Sequence, residues 1–362
     1  MKKIIGTAFA ALFAAANLFA YNPPAGGQNI LRLTGPQLLT DAGSAAGGGI
    51  FGASPASIIN NPALTAWEQR TTLDLAGTLF VNGNSDNDSK ALGGATQLGI
   101  LIPTRWCVPS FLFQGLWTEF FDMPVESNIS FTAGASKDIT DYVSVGLNTN
   151  FGVIYGNRCG SDWSLSASLG AFYNYGDLFF MKDLRFGVSL NNLGKMYTGD
   201  KTIGILADIR DDKTPSDDVT LWPGLCTLRT GVAATFFRTD IMNLGLSLDL
   251  SYPSFQDLVL DTGVQIQFWD FLKVSSAWEL DVQEVANGAV NVIPSLGVSF
   301  KFTFNAKKDS YLARQGWEQS EITTSAAWRN LYQNINAFSA GAVMNLGMQD
   351  AKAPEVILWD GE

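Results

Sequence analysis

The sequence predicts an all-β fold, a 14-stranded antiparallel transmembrane β-barrel with an amino-terminal hatch. Three observations lead there. An export leader opens the chain, and strict period-two alternation dominates from about residue 70 onward. Between the two lies a Gly-, Ala- and Pro-rich stretch that does not alternate.

The leader is read from residues 1–20. Met1-Lys2-Lys3 is followed by an apolar run from Ile4 to Leu12 that continues through Phe13 to Ala20. A basic start, an apolar middle and a small-residue end make a secretory signal peptide. Cleavage is expected after Ala20, with Ala16 as the other small-residue site. No later stretch offers the ~18–20 continuous apolar residues of a spanning helix, so helices are not expected to cross a membrane.

Composition narrows the function classes. The 362 residues carry 23 Lys+Arg and 34 Asp+Glu, a formal charge of −11, which with no basic cluster disfavours a nucleic-acid partner. Histidine is absent, which removes Ser-His and Cys-His nucleophiles and His-bound metals. No enzyme activity, cofactor or metal is expected. Cys107, Cys159 and Cys226 are too few and too scattered for a disulfide scaffold.

The strands follow in chain order at about 70–82, 89–103, 107–119, 126–137, 141–156, 161–175, 179–194, 225–238, 241–254, 256–269, 271–281, 289–304, 319–329 and 334–348. In the fifth, Val145, Leu147, Phe151 and Val153 alternate with Ser144, Gly146, Asn148 and Asn150. In the ninth, Leu244, Leu246, Leu248 and Leu250 alternate with Gly245, Ser247 and Asp249. One apolar and one polar face per strand follows from the period. A soluble sandwich alternates too, but its strands run about 5–6 residues, whereas a tilted membrane strand needs ~9–11. The polar face is Gly, Ser, Asn and Thr with few charges, as in a lumen. Aromatics such as Tyr142, Tyr155, Tyr252, Phe268 and Trp269 stand at strand ends, where interfacial girdles belong. Connections after even strands are mostly short and those after odd strands often long, the barrel rule for periplasmic turns and outer loops. The long connection at 305–318 departs from it. The barrel spans 70–348, and an acidic tail, 349–362, follows.

Residues 21–69 are expected to form the hatch. Small residues let chain pack closely within a lumen, and Asn61-Pro62-Ala63 sits just ahead of the first strand. That motif in that place resembles the FadL family of outer-membrane hydrophobic-compound transporters, whose amino-terminal hatch carries Asn-Pro-Ala and plugs a fourteen-stranded barrel. Residues 41–66 look most like an uncharacterised spirochaetal branch and also resemble PorV-like relatives. The resemblance implies uptake of long-chain fatty acids or similar hydrophobic molecules across the outer membrane. A non-transporting interaction protein, either a PorV-like secretion component or a surface adhesin, is the alternative.

Lumen-facing charges are scarce: Asp74, Arg185, Arg229, Asp249, Asp261 and Lys301. Arg185, Arg229 and Lys301 are the candidate ligand-binding residues, because a cation in a low-dielectric lumen can meet a carboxylate. Ion pairing with wall or hatch is the competing role. Cys159 and Cys226, near outer strand ends, either pair in an oxidising exterior or stay free. The acidic run Asp208, Asp211, Asp212, Asp217 and Asp218 reads as a solvated loop, lacking the ligand spacing of a Ca²⁺ site.

Overall fold

The computed structural model describes residues 30–40, 44–50, 52–82, 92–117, 127–156, 160–195, 226–253, 258–282, 285, 293–306, 310–314, 317, 319–331 and 335–347. The leader, the 199–223 loop with its aspartates, Cys159 and the 349–362 tail lie outside them, and so does a Cys159–Cys226 pairing.

Strands β1 (Thr71–Asn82), β2 (Leu92–Leu101), β3 (Val108–Trp117), β4 (Ser127–Asp138), β5 (Val143–Gly156), β6 (Gly160–Leu178) and β7 (Met181–Lys195) make the first half. The second half is β8 (Thr227–Arg238), β9 (Met242–Pro253), β10 (Val259–Phe268), β11 (Leu272–Asp281), β12 (Ser295–Asn305), β13 (Gln319–Leu331) and β14 (Ile335–Leu346). Each pairs antiparallel with its chain neighbours, and β14 closes on β1 from Thr71↔Leu346 to Asn82↔Ile335. Closure leaves no sheet edge, which is what allows a sheet to live in lipid.

The strand positions agree with the period to within a few residues except at β12, which starts at Ser295 rather than 289. Pro294 stands just before it, and proline has no N–H to give to a ladder. The 305–318 connection carries a short helix, α2 (Tyr311–Arg314).

Alternation is carried into space as the sequence implies. Leu147 is 53% exposed on the outer face while its neighbour Asn148 is 3% exposed on the inner one. Two aromatic rims bound the outer apolar band. Trp117, Tyr155 and Trp163 ring the long-loop end, with Trp117 Nε1 donating to Tyr155 Oη at 3.3 Å. Trp106, Tyr142, Phe180, Trp269 and Phe271 ring the short-turn end. Such rims seat a barrel at both lipid headgroup levels.

The amino-terminal segment lies inside. It comprises a 3₁₀ turn at Ile30–Leu33, helix α1 (Pro36–Thr40), and 3₁₀ turns at Pro55–Ile59 and Pro62–Thr65. α1 packs against β12, β13 and β14, and the last turn packs against β4, β5 and β6. Pro62 opens that last turn, where its fixed φ suits a helix start and its missing N–H costs nothing.

Candidate functional site

Irregular backbone in a lumen needs partners for its N–H and C=O groups, and here the barrel's polar face supplies them. Gln114 Nε2 donates to Leu31 O at 2.7 Å, Asn148 Nδ2 to Ile58 O at 2.7 Å, and Ser189 Oγ to Asn60 O at 2.8 Å. Ala45 N donates to Asp249 Oδ2 at 2.6 Å and Ile50 N to Gln265 Oε1 at 3.0 Å. The Ser, Asn and Gln side chains that read as a hydrated lumen therefore serve largely as the plug's hydrogen-bonding wall.

Asn61 is the pivot of the plug. Its Nδ2 donates to Ala45 O at 2.7 Å and to Ala171 O on β6 at 3.0 Å, while its Oδ1 accepts from Ala63 N at 2.9 Å. One fully buried amide thus joins two plug segments, the wall and its own cap. The wall beneath is flattened by glycine. A Cβ on Gly170 would stand 2.9 Å from Pro62 Cδ, and one on Gly146 would stand 2.6 Å from Ala63 N. These neighbours in β5 and β6 are paired directly across the ladder.

The three candidate cations occupy three separate places. Arg229 on β8 is buried between Asp249, 2.8 Å from its Nε, and Asp261, which accepts from NH2. The pair extends into a larger network. Asp249, Asp261 and Glu279 stand side by side across β9, β10 and β11. Arg32 of the plug reaches Glu279 at 3.4 Å and Asp261 at 3.8 Å, and Arg329 of β13 reaches Glu279 at 3.0 Å. Three guanidiniums thus face three carboxylates near the long-loop end. Arg185 on β7 donates from NH2 to Gly48 O at 2.6 Å and Gly49 O at 2.9 Å, holding the plug's glycine loop. Lys301 lies toward the short-turn end, 3.6 Å from Glu321, which also binds Arg70 at 2.6 Å. Each cation sits against a protein partner, and they do not converge on one point.

Arg32, Glu279 and Arg329 were not among the residues that sequence reasoning singled out. Parity was the available signal: Trp278 and Trp328 face outward, so Glu279 and Arg329 face inward. Both strands alternate weakly, and the signal is easily lost.

Two further features share the long-loop half of the lumen. Leu31, Leu33 and Leu39 of the plug pack with Phe80, Leu116, Ile154, Leu331 and Ile335 of the wall in a buried apolar cluster, and Ile59 abuts it. A polar cavity of ≈ 30 Å³ also borders Ile59, lined by Asn148, Asn150, Asn191, Asn192 and Arg229 among others. This end of the barrel therefore presents an apolar sector, a neutral hydrogen-bonding sector and a charge-balanced sector.

No protein-family model matches the sequence, and the search of curated proteins finds no match. Solved structures do match. The toluene transporter TbuX of Ralstonia pickettii aligns over 87% of this chain and 98% of its own, with TM-score 0.50 and 11% identity. The CymD monoaromatic hydrocarbon channel aligns over 89% of this chain and 100% of its own, with TM-score 0.52 and 10% identity. A Pseudomonas aeruginosa FadL homologue aligns over 91% and 98%, with TM-score 0.43 and 13% identity. In fold the chain is similar to TbuX and CymD, a closed fourteen-stranded antiparallel transmembrane barrel around an amino-terminal plug.

Proposed function

We propose that the chain is an outer-membrane channel, not an enzyme, through which hydrophobic small molecules enter by diffusion when the plug shifts. The observation that carries this is the apolar cluster at the long-loop end, built jointly by Leu31, Leu33 and Leu39 of the plug and Phe80, Leu116 and Ile335 of the wall. A porin for polar solutes has no use for an apolar seam between plug and wall, whereas a hydrophobic ligand can exchange with those plug side chains. Movement of the same plug residues then couples arrival of the ligand to opening. The fold's likeness to a toluene transporter and a monoaromatic hydrocarbon channel supports the reading.

Long-chain fatty acids are the finer candidate. Their carboxylate carries a desolvation cost in the lumen, which a cation offsets only by leaving its present partner. Arg229 would have to give up Asp249 or Asp261, and Lys301 would have to give up Glu321. Neutral hydrophobic molecules need no such exchange. Liposomes carrying the protein should take up labelled toluene, and labelled oleate if a cation is released, while ion conductance stays low. High conductance without hydrophobic uptake would replace the reading with an open porin. Absence of both would leave a non-transporting interaction protein.

A further inference from the structure

Six consecutive strands turn a belt of side chains into the lumen near the long-loop end. β8 offers Arg229, β9 Asp249, β10 Asp261, β11 Glu279 and β13 Arg329, while β12 offers only the neutral Ser295. Two guanidiniums stand among three carboxylates, so the wall's part of the belt carries one net negative charge at neutral pH. Asp281, one inward position further along β11, adds a further carboxylate. The balancing positive charge comes from the plug. Arg32 supplies it, and of the three arginines it is the most loosely held. Its contacts to Glu279 and Asp261 are 3.4 and 3.8 Å, against 2.8 Å for Arg229 to Asp249 and 3.0 Å for Arg329 to Glu279. Its buried Nε has no hydrogen-bond partner.

The rest of the lumen shows no such excess among the described residues. Toward the same end, β3 to β7 turn inward the neutral Gln114, Ser130, Asn150, Ser166 and Ser189, and Asp162 near the rim is paired with Lys195 at 3.2 Å. In the short-turn half, Arg185, Lys273 and Lys301 balance Asp74, Asp138 and Glu321. An uncompensated charge in a lumen with low-dielectric walls focuses its field on whatever passes. Acidic side chains placed in this way are what makes a pore favour cations.

We propose that this belt is the channel's charge filter, neutralised by Arg32 while the plug is seated and acidic once the plug draws back, so that uncharged and cationic hydrophobic molecules pass and carboxylates are turned away. The inference rests on the hydrophobic-channel reading and names its substrate class. One unit charge about 6 Å from a passing ion in water, screened by about 0.1 M salt, favours a monovalent cation and disfavours an anion by roughly 2- to 3-fold each. The open pore should therefore prefer cations by roughly 4- to 10-fold.

Reversal potentials in planar bilayers under a potassium chloride gradient test this. Two chains supply the openings: full-length Gly146→Ala, whose added Cβ crowds the plug at Pro62 and Ala63, and the chain lacking residues 22–66, which has no Arg32. Both should favour potassium over chloride by that ratio, and butylammonium over butyrate by a similar one. In either background Glu279→Gln should lower the ratio and Arg329→Gln should raise it, with heat-modifiable gel mobility confirming an assembled barrel. Asp281→Asn should also lower it, and serves if Glu279→Gln does not assemble. An unselective or anion-selective pore, or a ratio that these substitutions leave unmoved, overturns the proposal while leaving a hydrophobic channel standing. Absence of openings from both chains overturns the plugged-channel reading itself, and this proposal with it.

Discussion

Substituting Gly146 by alanine should unseat the plug while leaving the barrel closed. The added Cβ would stand 2.6 Å from Ala63 N and press on the Pro62 carbonyl. Ordinary contact is about 3.5–4 Å, so the Asn61-Pro62-Ala63 turn must retreat by roughly 1 Å. Asn61 Nδ2 is 3.0 Å from Ala171 O, a distance that does not survive such a shift. Overpacking of this kind costs about 1–3 kcal/mol, which lowers the ratio of docked to undocked plug by about 5- to 160-fold. Hydrogen exchange reads that ratio directly, because amides of a locally opening segment exchange in proportion to the open population. The amides bonded within the plug, such as Asn60 N to Ser57 O and Ala66 N to Ala63 O, should exchange faster by that factor. Those of β4 and β5 should not change. Gly77→Ala is the control, because a Cβ there meets only Ala95 O at 3.7 Å. Unchanged plug exchange in Gly146→Ala, or equal loss of protection in plug and wall, would refute the seating of the Asn-Pro-Ala turn on this glycine.

Other outcomes follow from the same contacts. Arg229→Leu leaves Asp249 and Asp261 buried without that partner and should cost about 3–5 kcal/mol in denaturant unfolding, the usual penalty for breaking a buried pair. Arg229→Lys should lose less. Asn61→Asp keeps the oxygen that caps Ala63 but removes the donor to Ala45 O and Ala171 O, so plug exchange should rise while barrel melting holds. Lys301→Met removes a half-exposed ion pair worth at most about 1 kcal/mol, and octanoate and octanol titrations should change alike. Protease added to intact cells should cut within 199–223 and spare the turn after β4. The reverse pattern would invert the barrel in the membrane.

The strands were legible because lipid demands an apolar residue at every second position, and that demand is local. Leu147 beside Asn148 carries it without help from any distant residue. The site was legible only in part, because its partners are distant in sequence. Ser189, Asn148 and Gln114 gave the same signal that a water-facing wall gives, and only their pairing with Asn60 O, Ile58 O and Leu31 O reveals what they hold. The lumen-face glycines are compatible with gaps in the wall, but Gly146 is filled by plug backbone and Gly170 by the Asn61 and Pro62 side chains. Arg229, Asp249 and Asp261 were recognised as inward charges one by one. Their union with Arg32, from the opposite end of the chain, depends on the closed topology.

Residues of the amino-terminal segment close the barrel. Conductance of planar bilayers carrying either the full-length protein or a variant lacking residues 22–66 tests it most directly. The full-length protein should be nearly silent, and the shortened one, with its wall still assembled, should open large ohmic steps. Equal conductance from the two would place the segment outside the conducting path.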